Sequence, residues 1–234
     1  MSEFLRRCKP PFAEQNVTHY KQKYNWDCGL SCVLMILPEE ERQYFLLNFE
    51  QICRAEDIDK STWTIDLCYI LKRFRILHSY FTKTFGVHSA YKGQAYYDRI
   101  LHKDECRINT KFEFAASRGL KIERKSISAD VLINHLEFHG PIILLIDANI
   151  LVCDICKMNK LNMELRSCLP WTTQYIGHYI VVCAYDEYKR KFVYRNPSFK
   201  NRLCVISHDG LDAARKCFGT DEDTILIFNR KNNS

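Results

Sequence analysis

Ten consecutive residues, Cys28-Gly29-Leu30-Ser31-Cys32-Val33-Leu34-Met35-Ile36-Leu37, present apolar side chains on nearly every helical face. A helix that is hydrophobic all round must be covered on all sides, so the rest of the chain has to be arranged around this one. The polar stretch Gln22 to Asp27 leads into it, and Asp27 suits an N-cap. Cys28 then falls in the first turn, where the helix N-terminus favours negative charge. A thiol placed there is expected to ionise more readily, and the thiolate is the reactive form. Gly29 leaves room beside the sulfur.

A cysteine in such a run is, taken alone, ordinary core packing. Two later motifs change that reading. Gly177-His178-Tyr179-Ile180-Val181-Val182 puts a histidine at the mouth of an apolar strand, and Tyr194-Arg195-Asn196-Pro197 puts an asparagine at the end of the next. A cysteine nucleophile needs a base, and the base needs an orienting group. Cys28, His178 and Asn196 supply these in the order of a Cys-His-Asn triad. Gln22 offers a side-chain amide for an oxyanion hole beside the Cys28 backbone N–H. Cys32 competes for the nucleophile role, one helical turn further on the same face. It lies deeper in the apolar run and reads as packing or as a resolving thiol.

The layout resembles the papain-like cysteine peptidases, and within them the C39-like branch. Within that branch it looks like the family named guanylyl cyclase domain-containing protein 1. The residues that carry this resemblance are Trp26-Asp27-Cys28-Gly29-Leu30, Ser61-Thr62-Trp63-Thr64-Ile65-Asp66-Leu67, Gly177-His178-Tyr179-Ile180-Val181 and Gly219-Thr220-Asp221-Glu222-Asp223. The resemblance implies an α+β, papain-like fold, with a nucleophile helix from a helical N-terminal half packed on a C-terminal antiparallel sheet. It implies a thiol hydrolase acting on a peptide or protein substrate. Two alternatives stand beside it: a guanylyl cyclase, which the family's name implies, and a non-catalytic member of the fold that binds a partner protein. Cyclisation of GTP is expected to use metal ions held by carboxylates. The sequence has no P-loop, and Asp221-Glu222-Asp223 reads as a solvated turn.

Charge and cysteine usage narrow the surroundings. With 34 basic and 28 acidic residues the chain carries a net +6, scattered apart from small clusters at Arg6-Arg7-Lys9 and Lys189-Arg190-Lys191. A nucleic-acid footprint is a denser patch, so no nucleic-acid partner is expected. The strongest apolar run, Ile142 to Ile146, ends at Asp147 and is too short to span a bilayer, and no secretory signal or lipidation motif is visible. The 12 cysteines are therefore expected as thiols of a cytoplasmic or nuclear protein. No cofactor or metal is assigned. Cys153-Asp154-Ile155-Cys156 has a zinc-knuckle offset and Cys168 is a third candidate, but no fourth ligand is evident.

The pattern predicts one domain over 1–234 with an inserted loop at about 148–176. Residues 1–16 read as an irregular lead-in and Val17 to Gln22 as a short strand. Helices are expected from Pro38 to about Ala55, from a Ser61 or Thr62 cap through Phe74, over Asp104 to Ser117 with Gly119 as the stop, from Ser128 to Phe138, and over Leu211 to Cys217. Strands are expected at His78 to Phe85, Leu120 to Ser126, Ile142 to Ile146, His178 to Tyr185, Lys191 to Arg195 and Thr224 to Phe228. Antiparallel pairing across the turn Asp186 to Arg190 would set His178 near Asn196.

Overall fold

The structure, a computed structural model, describes residues 17–88, 91, 95–155 and 175–229. Cys28–Ile36 forms helix α1, and eight of its nine residues are buried. Glu39–Leu47 is α2 and Phe49–Ala55 is α3. The single helix expected over this stretch is broken at Asn48, whose side-chain amide donates to the Tyr44 carbonyl at 2.9 Å. Asparagine competes in this way with the helical backbone.

Helix α4, Thr64–Arg73, begins at Trp63 rather than at Ser61 or Thr62. The Asp66 carboxylate accepts the Trp63 backbone N–H at 2.9 Å, while the Ser61 hydroxyl is taken by Asp104 and the Thr62 hydroxyl by the Trp26 carbonyl. Asp66 is fully buried and ion-pairs with Arg107 at 2.6 Å and with Lys111. Those two cations sit on α5, Ala95–Ala115, which starts well before the predicted Asp104. Its C-terminus closes as expected. Gly119, at φ +71, donates to Ala116, and Leu120 donates to Ala115, the two bonds of a Schellman motif.

Among the described residues seven strands form one sheet in the order β2-β1-β7-β3-β4-β5-β6. They are β1 His78–Thr82, β2 Ile122–Arg124, β3 Ile142–Asp147, β4 Gly177–Asp186, β5 Lys191–Arg195, β6 Cys204–Ser207 and β7 Thr224–Ile227. All neighbours are antiparallel except β1 and β2. The fold is α+β, with a sheet that also recruits β1 and β2 from the helical half. Helix α6, Ala129–Phe138, and helix α7, His208–Arg215, complete it. The Ser207 hydroxyl caps α7, so that helix lies a few residues earlier than its apolar pattern suggested. Residues 17–22 are not a strand. They run as extended chain tied to the loop after β5, the Gln22 N–H donating to the Pro197 carbonyl at 2.9 Å.

The sheet is buried on both faces. Ile143, Tyr179, Val181, Val193 and Ile225 share a core with α1 and α4. Ile142, Leu144, Ile180, Val182, Phe192 and Leu226 share the other with α6 and α7. Cover on both sides explains why these strands read as unbroken apolar runs rather than alternating ones. Among the described residues no helix is long and apolar enough to cross a membrane, and no two cysteines are joined in a disulfide.

Candidate active site

The N-terminus of α1 is pressed against β4. A side chain at Gly29 would meet Leu67 and the Tyr179 ring at 3.0 Å, so glycine is what permits this approach. The Tyr179 backbone N–H lies near enough to the Cys28 sulfur to favour its charged form, which places the thiol beside the residue that follows His178. Asp27 stands at the N-cap position, but its side chain does not cap the helix. It is buried and turned back, accepting the Lys23 and Tyr24 backbone N–H groups at 3.0 Å each. That fixes the chain's entry into the nucleophile turn.

Pairing across the β4–β5 hairpin sets Val181 opposite Arg195, and this brings the strand ends together. His178 Nε2 lies 3.0 Å from Asn196 Oδ1. That same oxygen accepts the Ser198 backbone N–H at 2.9 Å. An oxygen that accepts from both requires Nε2 to carry the proton, which leaves Nδ1 as the lone-pair nitrogen of a neutral imidazole. Among the described residues the thiol and the imidazole share no hydrogen bond.

The charge state differs from the one expected. Burial pushes the Cys28 thiol up to about 11, against the smaller opposing effect of the Tyr179, Gly29 and Cys28 backbone N–H groups. Burial also pushes His178 below the ordinary imidazole range, and the bond to Asn196 only partly offsets it. Cys28 is 6% exposed and His178 8%. Desolvation disfavours both charges, so the closed site holds a neutral thiol and a neutral imidazole rather than a ready thiolate. Cys32 is fully buried and its thiol is raised well above the ordinary value.

Gln22 is oriented by its neighbours. Its Oε1 accepts the Ser198 hydroxyl at 2.8 Å, and its Nε2 donates to the Tyr24 carbonyl at 2.7 Å. An amide nitrogen has two hydrogens, so one N–H remains for a substrate oxygen. Ser198 thus touches both Asn196 and Gln22, a role that sequence reading missed. Its only signal was its place in the Asn-Pro-Ser turn, where such residues bond to nearby backbone. Ser198→Ala should remove the Gln22 tether and leave the backbone bond to Asn196. If Cys28 serves as an acyl-accepting nucleophile, the expected result is a loss of about fivefold in acylation rate, in line with one net hydrogen bond, with thermal stability nearly unchanged; a steady-state comparison with the parent checks it.

Asp221-Glu222-Asp223 is not the solvated turn it resembled. Glu222 is 8% exposed and Asp223 7%. Asp223 accepts the Tyr80 hydroxyl at 2.8 Å and a bond from Thr64, and the Thr64 hydroxyl is 2.8 Å from that of Tyr179. A cavity of about 40 Å³ lies among these groups. Burial, and then the nearby Asp221 charge, pushes the Asp223 carboxyl up to about 7. The turn survives because Asp221 and Glu222 both adopt positive φ, 48° and 54°, which lets strand β7 start directly behind them. Of the zinc candidates Cys153 is buried, whereas Cys156 and Cys168 lie outside the described residues. Among the described residues no three His, Cys, Asp or Glu side chains converge as a metal site.

These residues fall within a recognised sequence pattern. Residues 17–227 match the model of the family described as guanylylate cyclase. The chain is 34% identical over 225 residues to guanylyl cyclase 1 of Arabidopsis thaliana, an overlap covering 93% of this chain and 77% of that protein. A crystal structure described as a C39-like peptidase from Bacillus anthracis aligns with 44% of this chain and 48% of its own, at 15% identity and a TM-score of 0.30. A family match spanning both Cys28 and Asp223 leaves little of the described chain outside it: the protein belongs to the guanylylate cyclase family.

Proposed function

We propose that the chain is a thiol hydrolase of peptide or related acyl bonds, with Cys28 as nucleophile, His178 as base, Asn196 as the orienting group and Gln22 in the oxyanion hole. The observation that carries this reading is the 3.0 Å contact of His178 Nε2 with Asn196, on a strand whose next amide lies near the Cys28 sulfur. Because the resting pair is neutral, His178 Nδ1 takes the thiol proton as the sulfur attacks the acyl carbon. The Gln22 N–H and the Cys28 backbone N–H receive the oxyanion. Collapse expels the leaving group, which takes the proton from the imidazolium. Water, deprotonated by the same imidazole, then releases the acyl group from the sulfur.

The test is covalent capture. Peptide vinyl sulfones and fluorogenic acyl esters should label Cys28, as read by peptide mass spectrometry. Labelling at another cysteine, or undiminished turnover in Cys28→Ser, would sink the assignment.

The name of the Arabidopsis relative favours a second reading, formation of cyclic GMP from GTP. The expected result is no cyclic GMP above background from purified protein with GTP and Mg²⁺ or Mn²⁺. Turnover abolished by EDTA and indifferent to Cys28→Ser would replace the hydrolase with the cyclase.

A further inference from the structure

The two segments that frame the Gln22–Asn196 side of the site are cationic and contain no acid. Residues 17–26 carry Lys21 and Lys23, and residues 195–203 carry Arg195, Lys200 and Arg202. The two segments thus bring five cations and no acid to one side of the site. The segments are held together by three bonds. His19 Nε2 pairs with the Phe199 carbonyl at 2.9 Å, the Gln22 N–H donates to Pro197, and the Ser198 hydroxyl donates to Gln22.

The wall is also built rather than frayed. Arg195 donates to Asn201 at 2.8 Å, and the Arg202 guanidinium lies 4.1 Å over the Phe199 ring. Lys21, Lys23, Lys200 and Arg202 are exposed. Among the described residues none of the five meets a carboxylate within ion-pair distance. The nearest acid along either segment, Asp27, is buried on the Lys23 and Tyr24 amides. Of the other exposed lysines among the described residues, Lys83, Lys103, Lys121, Lys189 and Lys216 each meet an acid within ion-pair distance, while Lys60, Lys72 and Lys125 do not and lie apart from one another in the sequence. Concentrated like charge beside a reaction centre steers and selects a partner of opposite charge.

We infer that this wall receives an acidic segment of a peptide substrate and sets it beside Cys28, so that the enzyme selects acyl bonds flanked by Asp and Glu. This rests on the hydrolase reading for the word substrate. Binding of the acidic segment needs no chemistry and can be measured separately. A peptide is favoured over RNA or a lipid surface because the wall adjoins Gln22 and Asn196, whose groups suit an acyl bond on the hydrolase reading.

The experiment uses the full chain and a fluorescein-labelled peptide of alternating Glu and Gly, followed by anisotropy. Peptides with Lys or Gln in place of Glu, a single-stranded RNA of equal charge and vesicles containing phosphatidylserine are the comparison arms. The expected result is that the Glu peptide binds, weakens steeply with salt, and slows alkylation of Cys28 by iodoacetamide. Lys200→Glu with Arg202→Glu should weaken binding by about tenfold, since each exposed pair is worth a modest amount. Lys21→Glu with Lys23→Glu should do the same from the opposite segment. Melting temperatures identify any variant that loses its fold, and the second pair then decides.

Binding that survives both charge reversals overturns the proposal, as does equal binding of the Gln peptide. Tighter binding of the RNA or the vesicles overturns it in favour of a different partner class. A Cys28 that does not acylate while the Glu peptide still binds and covers it would remove the hydrolase and leave the acidic-peptide site standing. Acylation of Cys28 with no preference for acidic sequence would do the reverse.

Discussion

On the hydrolase reading, His178→Ala will slow acylation of Cys28 by about a hundredfold or more, the usual contribution of a positioned general base. The size follows from the neutral resting pair. A preformed thiolate would keep much of its reactivity without the imidazole, whereas a thiol raised to about 11 by burial has to surrender its proton during attack. The pH profile adds a sign. His178 acts as a base only when neutral, and burial lowers its pKa. Activity should therefore persist as pH falls through the ordinary imidazole range, near 6.5, and decline only below it. The Asn196 bond raises the His178 pKa, so Asn196→Ala should move that decline further down while also lowering the plateau. Stopped-flow acylation from pH 4 to 9 reads both effects. An acid limb that moves upward in Asn196→Ala, or a His178→Ala variant as fast as the parent, would remove His178 from the base role.

Asp223→Asn will stabilise the protein at alkaline pH relative to the parent. The unfolded carboxyl titrates near 3.9 and the folded one at about 7. Between those values the folded chain keeps a proton that the unfolded chain gives up. Its contribution is fully present below about pH 4 and is lost as pH rises through 7. Asparagine never ionises, so the variant's advantage should grow from pH 4.5 to pH 8 by on the order of a few kcal/mol, several degrees in melting temperature for a chain of this size. Asp221, Tyr80, Thr64 and Thr82 face this carboxyl. Asp221, itself raised by burial, is relieved of a like charge by the same change. Thermal melts at the two pH values decide; a difference that stays constant or shrinks with pH contradicts the buried, protonated state.

What the sequence displayed and what it concealed divide along a physical line. Clear apolar stripes and unbroken apolar runs were legible: α1, α4, α6, β3, β4 and β5 lie where their apolar patterns put them. The pairing of His178 with Asn196 could be read because a short polar turn joins two strands, and antiparallel register follows from it. The break at Asn48 was hidden because both halves continue one apolar stripe. Strand β6 was hidden because its four residues sit at a sheet edge and are too few to show a period. Residues 17–22 alternate like a strand, yet they meet a loop rather than a sheet edge. Asp223 was misread because its burial depends on Tyr80 and Thr64, which are distant in sequence. The ionisation of Cys28 was misread for a related reason. A helix N-terminus can be recognised locally, but the desolvation that outweighs it is imposed by strands more than a hundred residues away.

Strand β7 lies between β1 and β3, and these two have no ladder with each other. A ribosome therefore releases the first six strands as two separate ribbons, each with a bare inner edge, before residues 224–227 emerge to join them. Until then the exposed edges can pair with any other chain, and the closing contacts span most of the sequence, which slows folding. A frameshift or nonsense change just ahead of Thr224 would leave Cys28, His178 and Asn196 all present in the polypeptide. It would still forfeit the protein, because the strand that welds the two ribbons would never be made.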